Sequence, residues 1–362
     1  MPAAPSSLTD PAIGQLLTLA QAAGTYPKRL LPVLAAVPDP RARRGVRHRL
    51  AVILGLAACA VLAGARSFTA IAEWAADADR STLEALGITG VVPCESTFRR
   101  TLQNLDAGAL DDAAGAWARQ RTAPAAGARR VIAVDGKTLR GSGVAGGPGR
   151  HLLAALDHAH GVVLGQAAVE AETNEIPMFA TLLDRVGLAG AVVTADALHA
   201  QRAHADYLVT QRGAHYVITV KRSQPGLHAQ LATLPWRQVP AACRTRDKGH
   251  GRAGRRTVKI TAVAAGLAFP HAAQAIQIVR RRRPLNTKKR TAETVYAITS
   301  LTAIQARPAE HAAIIRGHWL IEDRLHWVCA TSPTTKTAPR SAPPTAPASW
   351  PACATWPSPS CG

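Results

Sequence analysis

Residues 131–141 read VIAVDGKTLRG, a compact apolar run that ends on a carboxylate and then turns polar. An apolar run without alternation suits a strand buried on both faces. Asp135 closes it. A carboxylate at the end of a buried strand is costly unless it is paired or bound to a metal. Asp also caps the loop or helix that follows a strand. Both readings stay open for Asp135. They stay equally open for Asp196, which ends a second run of this kind in AVVTADALHAQ (191–201).

Outward from these runs the pattern is that of a mixed α/β sheet. HLLAALD (151–157) and VVLGQAAVEAE (162–172) read as two further strands with a turn at His160 and Gly161. PMFATLLDRVG (177–187) is helical, with Pro177 near its start and Gly187 at its end. A helix is expected over about 200–212, ended by Gly213, and HYVITVK (215–221) is another strand. Strands followed by alternating helix and strand indicate a mixed sheet. Gly141, Gly143, Gly146, Gly147 and Gly149 make a flexible loop after the first strand, without the spacing of a phosphate-binding P-loop.

Upstream, Leu30 to about Arg121 is helical in pattern, with Pro and Gly between the apolar runs. Ser67 is the expected cap of a helix carrying Phe68, Ile71 and Ala75. Ser81 and Glu84 suggest a capping box, with Gly87 as the stop. Ser96 or Thr97 is the expected cap of a helix with Phe98, Arg99, Arg100 and Leu102. Residues 1–27 read as a flexible N-terminus, 28–122 as a small all-helical domain, and 129–328 as the α/β domain. With 362 residues the chain exceeds one typical domain, in keeping with two.

Downstream, composition shifts. Arg244 to Arg290 holds fourteen Lys or Arg and a single acid, Asp247, around short strand-like pieces, TVKITAV (257–263) and AIQIVRR (275–281). TVYAITS (294–300) is a strand, and a helix runs from about Pro308 to Val328. Residues 329–362 contain eight prolines and no acid, so no helix or core is expected there.

The balance of 43 Lys and Arg against 23 Asp and Glu gives +20 and a pI near 10.9, which calls for a polyanionic partner. No apolar run reaches the roughly 18 residues of a membrane span. The nearest, residues 50–65, is rich in Ala and Gly and lies between Arg49 and Arg66, so a buried helix is expected. The six cysteines form no CxxC pair or zinc spacing, and no secretory signal opens the chain, so a reduced, cytoplasmic setting is expected.

A third carboxylate stands out. In IIRGHWLIEDRLHWV (314–328), Ile314, Ile321, Leu325 and Val328 form a core seam, and Glu322 lies beside it on the face with His318, Trp319 and His326. The alternative for Glu322 is an ion pair with Arg316 or Arg324. His311, His318 and His326 share roughly one face, but their spacings do not put two imidazoles on adjacent turns, which disfavours a histidine metal site. His199 reads as a surface residue able to touch phosphate. Two carboxylates at strand ends and a third on a later helix suit hard cations, which take oxygen ligands and leave places for water and phosphate. Two such ions about 4 Å apart activate an attacking oxygen and stabilise a leaving one.

In combination these residues resemble a known family, the DDE transposases of bacterial insertion sequences, of the type that includes the H-repeat-associated proteins. The matching segments are VIAVDGKTLRGS (131–142), ETNEIPMFATLLDRVGLAGAVVTADALHAQ (172–201), HYVITVKRSQPGLH (215–228) and RGHWLIEDRLHWV (316–328). Upstream, residues 38–75 and CESTFRRTLQNLD (94–106) are similar to that family's helical associated domain. The resemblance implies an RNase H-like fold, with Asp135, Asp196 and Glu322 as catalytic acids holding two Mg²⁺ (or Mn²⁺) ions. It implies double-stranded DNA as substrate, at element ends and target, and a homodimer to pair two ends. The basic stretch becomes an insertion at about 237–293. Lys137 and Lys221, beside strand ends, would hold phosphates. Arg99, Arg100, Arg252, Arg255, Arg256, Arg281, Arg282, Arg283, Lys288 and Lys289 are expected to contact the DNA backbone.

Two departures from the family pattern stand out. His318 occupies a place where related enzymes often carry Arg, four residues before the acid. The likeness also stops at Val328, where the family continues with an acidic helical segment of the type RDVT-x-x-ED. One codon choice for Cys329 to Thr337, TGC GCG ACG TCA CCT ACG ACG AAG ACC, gives Arg-Asp-Val-Thr-Tyr-Asp-Glu-Asp when read two nucleotides later. The expectation is that 329–362 is translated out of frame. Sequencing the gene tests it, since a closed alternate frame sinks the idea. A nuclease that cuts without joining and an inactive, DNA-binding remnant are the two alternative functions.

Overall fold

A computed structural model describes residues 31–318 and Ile321, apart from residues 45, 66, 126, 139–148, 171–172, 250–251, 264–265, 285–290 and 319–320. The glycine-rich loop up to Gly147 and the tail therefore lie outside the described residues. Contacts divide the described chain after Arg121 into a helical unit and a mixed α/β unit.

The helical unit contains α1 (Leu50–Leu62), α2 (Phe68–Asp77), α3 (Arg80–Ala85), α4 (Glu95–Gln103) and α5 (Ala107–Arg121). No described helix is long and apolar enough to cross a membrane. Helix α1 is buried on most sides, with Leu50 to Ala57 and Ala60 inside the unit's core. Ser67 caps α2 as expected, accepting from Ala70 N at 3.1 Å. Two caps differ from expectation. Asp79, not Ser81, starts α3, because its carboxylate accepts from Thr82 N (2.8 Å) and from the hydroxyls of Ser81 and Thr82. Glu84 pairs instead with Arg80 one turn back. Helix α4 begins after Cys94, with Ser96 and Thr97 already in the first turn and their hydroxyls against Cys94 Sγ.

The α/β unit is built on β1 (Val131–Thr138), β2 (His151–Asp157), β3 (Val162–Val169), β4 (Val192–Ala195), β5 (His215–Val220), β6 (Ala241–Gly249), β7 (Arg252–Ala262), β8 (Gln274–Pro284) and β9 (Thr291–Thr299). Its helices are α6 (Glu175–Leu183), α7 (Arg202–Asp206), α8 (Pro225–Thr233) and α9 (Pro308–His318). The strands form one sheet in the order β3-β2-β1-β4-β5-β9-β8-β7-β6. β1, β2 and β3 pair antiparallel, while β4 and β5 join β1 in parallel. That five-strand order is the RNase H-like one. β9, β8, β7 and β6 then continue the sheet, all antiparallel. β7 and β8 are eleven residues each, longer than the pieces the sequence suggested, because Arg replaces apolar residues over their far halves.

Alternation sorts the two faces. Ile132, Val134, Val193 and Ala195 point into the larger core, with Phe179 and Leu182 of α6. Val192 and Val217 point to the other face, where Ala312 and Ile314 of α9 cover them. Helix α9 packs against β1, β4 and β6.

Candidate active site

Asp135 and Asp196 come together by register alone. The parallel pairing of β1 with β4 sets Val134 opposite Ala195, so the two aspartates are the next residues along adjacent strands. Neighbouring strands lie about 4.8 Å apart. Asp135 shares the parity of Val131 and Asp196 that of Val192, so both belong to the face covered by α9. They line one pocket with Thr194, Thr219, Lys221, Arg280, Arg282, Glu293 and His318.

Asp196 does both things its position allowed. Oδ1 accepts from Leu198 N at 2.7 Å, capping the 3-10 turn Ala197–His199. Oδ2 lies 3.8 Å from Lys221 Nζ. The pair is partly exposed, so it contributes little to stability, and it puts a cation beside the carboxylate at the open end of β5.

Helix α9 is seated on this face by a buried polar contact. The Thr194 hydroxyl lies 2.9 Å from His318 Nδ1 and 3.2 Å from His158 Nε2. Burial pushes His318 down to about 4, against the pull of Asp196, and His158 down to about 3, helped by His318. Both rings are neutral at pH 7. Gly317 permits the close approach: a Cβ there would stand 2.4 Å from His158 Nδ1. Glu322, four residues beyond His318 in sequence, lies outside the described residues.

Behind β1, on the opposite face, a second network holds the strand end. Glu175, at the start of α6, accepts from His151 Nε2 (2.7 Å) and from His199 Nε2 (3.2 Å). His151 Nδ1 in turn meets the Thr138 hydroxyl at 2.9 Å. Burial pulls the Glu175 carboxyl up, but the hydrogen bonds from His199 and His151 outweigh it and hold it below the ordinary glutamate value. Gly136 makes room, since a Cβ there would fall 2.0 Å from Glu175 Oε1. His199 is therefore not the surface residue the sequence suggested: it is 0% exposed, packed on Phe179 and turned to Glu175.

The other expected residues divide. Lys221 and Arg282 reach the pocket. Lys137 stays on β1 two residues past Asp135, outside the pocket lining. Arg255, Arg281 and Arg283 hold register positions of the parity opposite to Arg280 and Arg282, and Arg256 pairs across from Arg280. Arg252 begins β7, and only its backbone is described. Lys288 and Lys289 lie outside the described residues. Arg99 and Arg100 belong to α4 in the helical unit, where Arg99 pairs with Glu95 at 2.9 Å. Sequence reasoning missed Thr194, Glu293 and Glu175, whereas Arg280 belonged to the run Arg280–Arg283 that it read as a solvated or DNA-contacting face. Strand alternation within VVTAD held a signal for Thr194, and no local signal marked the other two.

The donor set is oxygen-rich, two carboxylates on adjacent strands, which suits a hard divalent cation. Among the described residues no group of three Asp, Glu, His or Cys forms a complete metal cage. The third candidate ligand is Glu322.

This strand order, with paired carboxylates at the ends of its first and fourth strands, is that of an RNase H-like protein of the nucleic-acid-processing class. The chain belongs to the DDE transposase family. Residues 126–331 match the family described as Transposase DDE domain, and residues 31–118 the one described as DDE_Tnp_1-associated. Among its relatives, "Putative transposase YncI" of Escherichia coli O157:H7 is 29% identical over 309 residues, 83% of this chain and 78% of that protein. "H repeat-associated putative transposase YhhI" of Escherichia coli strain K12 is 27% identical over 319 residues, 83% of this chain and 82% of that one. A solved structure, the piggyBac transposase synaptic complex with hairpin DNA, aligns at a TM-score of 0.41 and 12% identity over 84% of this chain and 68% of that chain.

Proposed function

We propose that this transposase cuts double-stranded DNA at the ends of an insertion element and joins the freed end to target DNA. The observation that supports this most is the level pairing of Asp135 and Asp196 on one sheet face, with Lys221 at 3.8 Å. Asp135, Asp196 and Glu322 would hold two Mg²⁺ or Mn²⁺ ions, which supply Lewis-acid activation of the attacking oxygen and neutralise the leaving one. Lys221 and Arg282 bind the phosphates flanking the scissile bond. Water cleaves the phosphodiester to give a 3′-OH and a 5′-phosphate. The 3′-OH then attacks a target phosphodiester in line, forming the new bond as the target's own 3′ oxygen leaves with a proton. Neutral His318, held by Thr194, fixes the C-terminal end of α9, four residues before Glu322 in sequence. Two copies of the chain pair the two ends as a homodimer.

The test is Mg²⁺-dependent cleavage of DNA carrying the flanking inverted repeats, compared with Asp196→Ala. Cleavage by the parent and its loss in the variant is the expected outcome. A labelled end that is cut but never joined refutes strand transfer and leaves a nuclease. Binding without cleavage in the parent refutes the catalytic reading and favours the inactive remnant.

A further inference from the structure

The sheet extension β6–β9 sorts its charge between two faces. In antiparallel pairs, directly opposite residues share a face. The register sets Arg246 opposite Arg255 and Arg255 opposite Arg281, three cations in one row across three strands. The next row runs Lys248, Ala253, Arg283, and the row before it carries Arg244 on β6. Arg244, Arg246, Lys248, Arg255, Arg281 and Arg283 are all exposed. Among the described residues, no carboxylate holds a position on this face of β6–β9. Asp247 and Glu293 hold positions of the other parity, that of Arg280 and Arg282. On that side Glu293 lies 3.8 Å from Arg280 and both line the pocket with Asp135 and Asp196.

Folding does not explain the far face. Like charges directly opposite one another destabilise a sheet. Cations that merely guard an edge belong on the edge strand, here β6, yet β7 and β8 carry them inside the sheet. A row repeated about every 6.8 Å along the strands, with no compensating acid, is a surface whose repulsion is relieved by a regular polyanion.

We infer that this far face binds the phosphate backbone of a second DNA duplex, separate from the one at the Asp135–Asp196 pocket. The two faces look away from each other across one sheet, so a duplex held at the pocket does not reach the far row. The contacts go to phosphates and carry no sequence preference. The inference rests on the reading that DNA is the substrate, not on the chemistry at the pocket.

The experiment uses the full chain without divalent metal and a duplex of arbitrary sequence, comparing the parent with the triple variant Arg246→Gln, Arg255→Gln, Arg281→Gln. The parent is expected to bind two duplexes per protomer and the triple variant one. The salt slope of the lost step corresponds to about three phosphate contacts, roughly 2.7 in log K against log salt. Thermal melting at low salt guards against misfolding: with repulsion removed, the triple variant is expected to melt no lower than the parent. A single duplex on the parent, an unchanged stoichiometry in the variant, or a far face that takes anionic phospholipid vesicles in place of duplex DNA overturns the inference. Cleavage by the parent in Mg²⁺ is read separately. Two duplexes without cleavage refute only the catalytic reading, and cleavage with one duplex refutes only the second face.

Discussion

Gly136→Ala should unlatch the end of β1. A Cβ at this position falls 2.0 Å from Glu175 Oε1, 2.2 Å from its Cδ and 2.6 Å from Oε2. No rotamer adjustment of the new methyl is available, so Glu175 must leave. Its side chain is held by His151 at 2.7 Å and His199 at 3.2 Å. Displacing it strips the acceptor from His199, which is 0% exposed. An unsatisfied buried donor costs about 1–3 kcal/mol, and overpacking adds about 1–3 kcal/mol. The expected loss is therefore about 2–6 kcal/mol, a large share of the roughly 5–15 kcal/mol that holds a domain folded. Urea unfolding of the full chain measures it, and Glu175→Ala supplies the cycle. With the carboxylate gone the alanine loses all three of its sub-3 Å contacts, so the double variant should lose less than the sum of the singles. A Gly136→Ala chain within about 0.5 kcal/mol of the parent, or strict additivity in the double variant, refutes the argument.

Gly317→Ala is expected to cost about 1–3 kcal/mol, because its Cβ would stand 2.4 Å from His158 Nδ1. His158→Ala in the same chain should restore part of the loss, and an additive pair would refute the contact. Lys221→Gln should change stability by less than about 1 kcal/mol, since the pair is exposed, while raising the KM for end DNA about tenfold. An unchanged KM removes Lys221 from phosphate binding. Burial holds His158 near 3, with His318 beside it, and His204 near 4, with His199 beside it. Their unfolded value is near 6.5, so the unfolded chain takes up protons first. Stability is then full above pH 6.5 and falls as pH drops towards 4. Urea midpoints that stay flat from pH 7 to 5, or a decline that persists unchanged in His158→Gln with His204→Gln, refute this.

The site was partly legible because its two described acids announce themselves locally. VIAVD and AVVTAD each end an apolar run on a carboxylate, and a run of that length has few structures open to it besides a buried strand. The same holds for Ser67, whose cap depends on residues three apart. Asp79 was missed because Ser81 and Glu84 have the spacing of a capping box, whereas the carboxylate two residues earlier takes the Thr82 N–H and places Ser81 inside the helix.

What the sequence by itself determined was the kind of element and, through alternation, which residues of one strand share a side. It did not say which strand lies beside which, or which side α9 would cover. Register settled that: Val134 opposite Ala195 brings Asp135 level with Asp196, sixty-one positions later. It also set Arg281 level with Arg255 and Arg246 on one face of the extension. Glu175, His151 and His199 come from three elements and meet only because a buried carboxylate must find donors wherever the fold supplies them. Periodicity is a property of neighbours in the chain, whereas pairing and polar satisfaction are properties of neighbours in space, and only the tertiary structure makes those the same list.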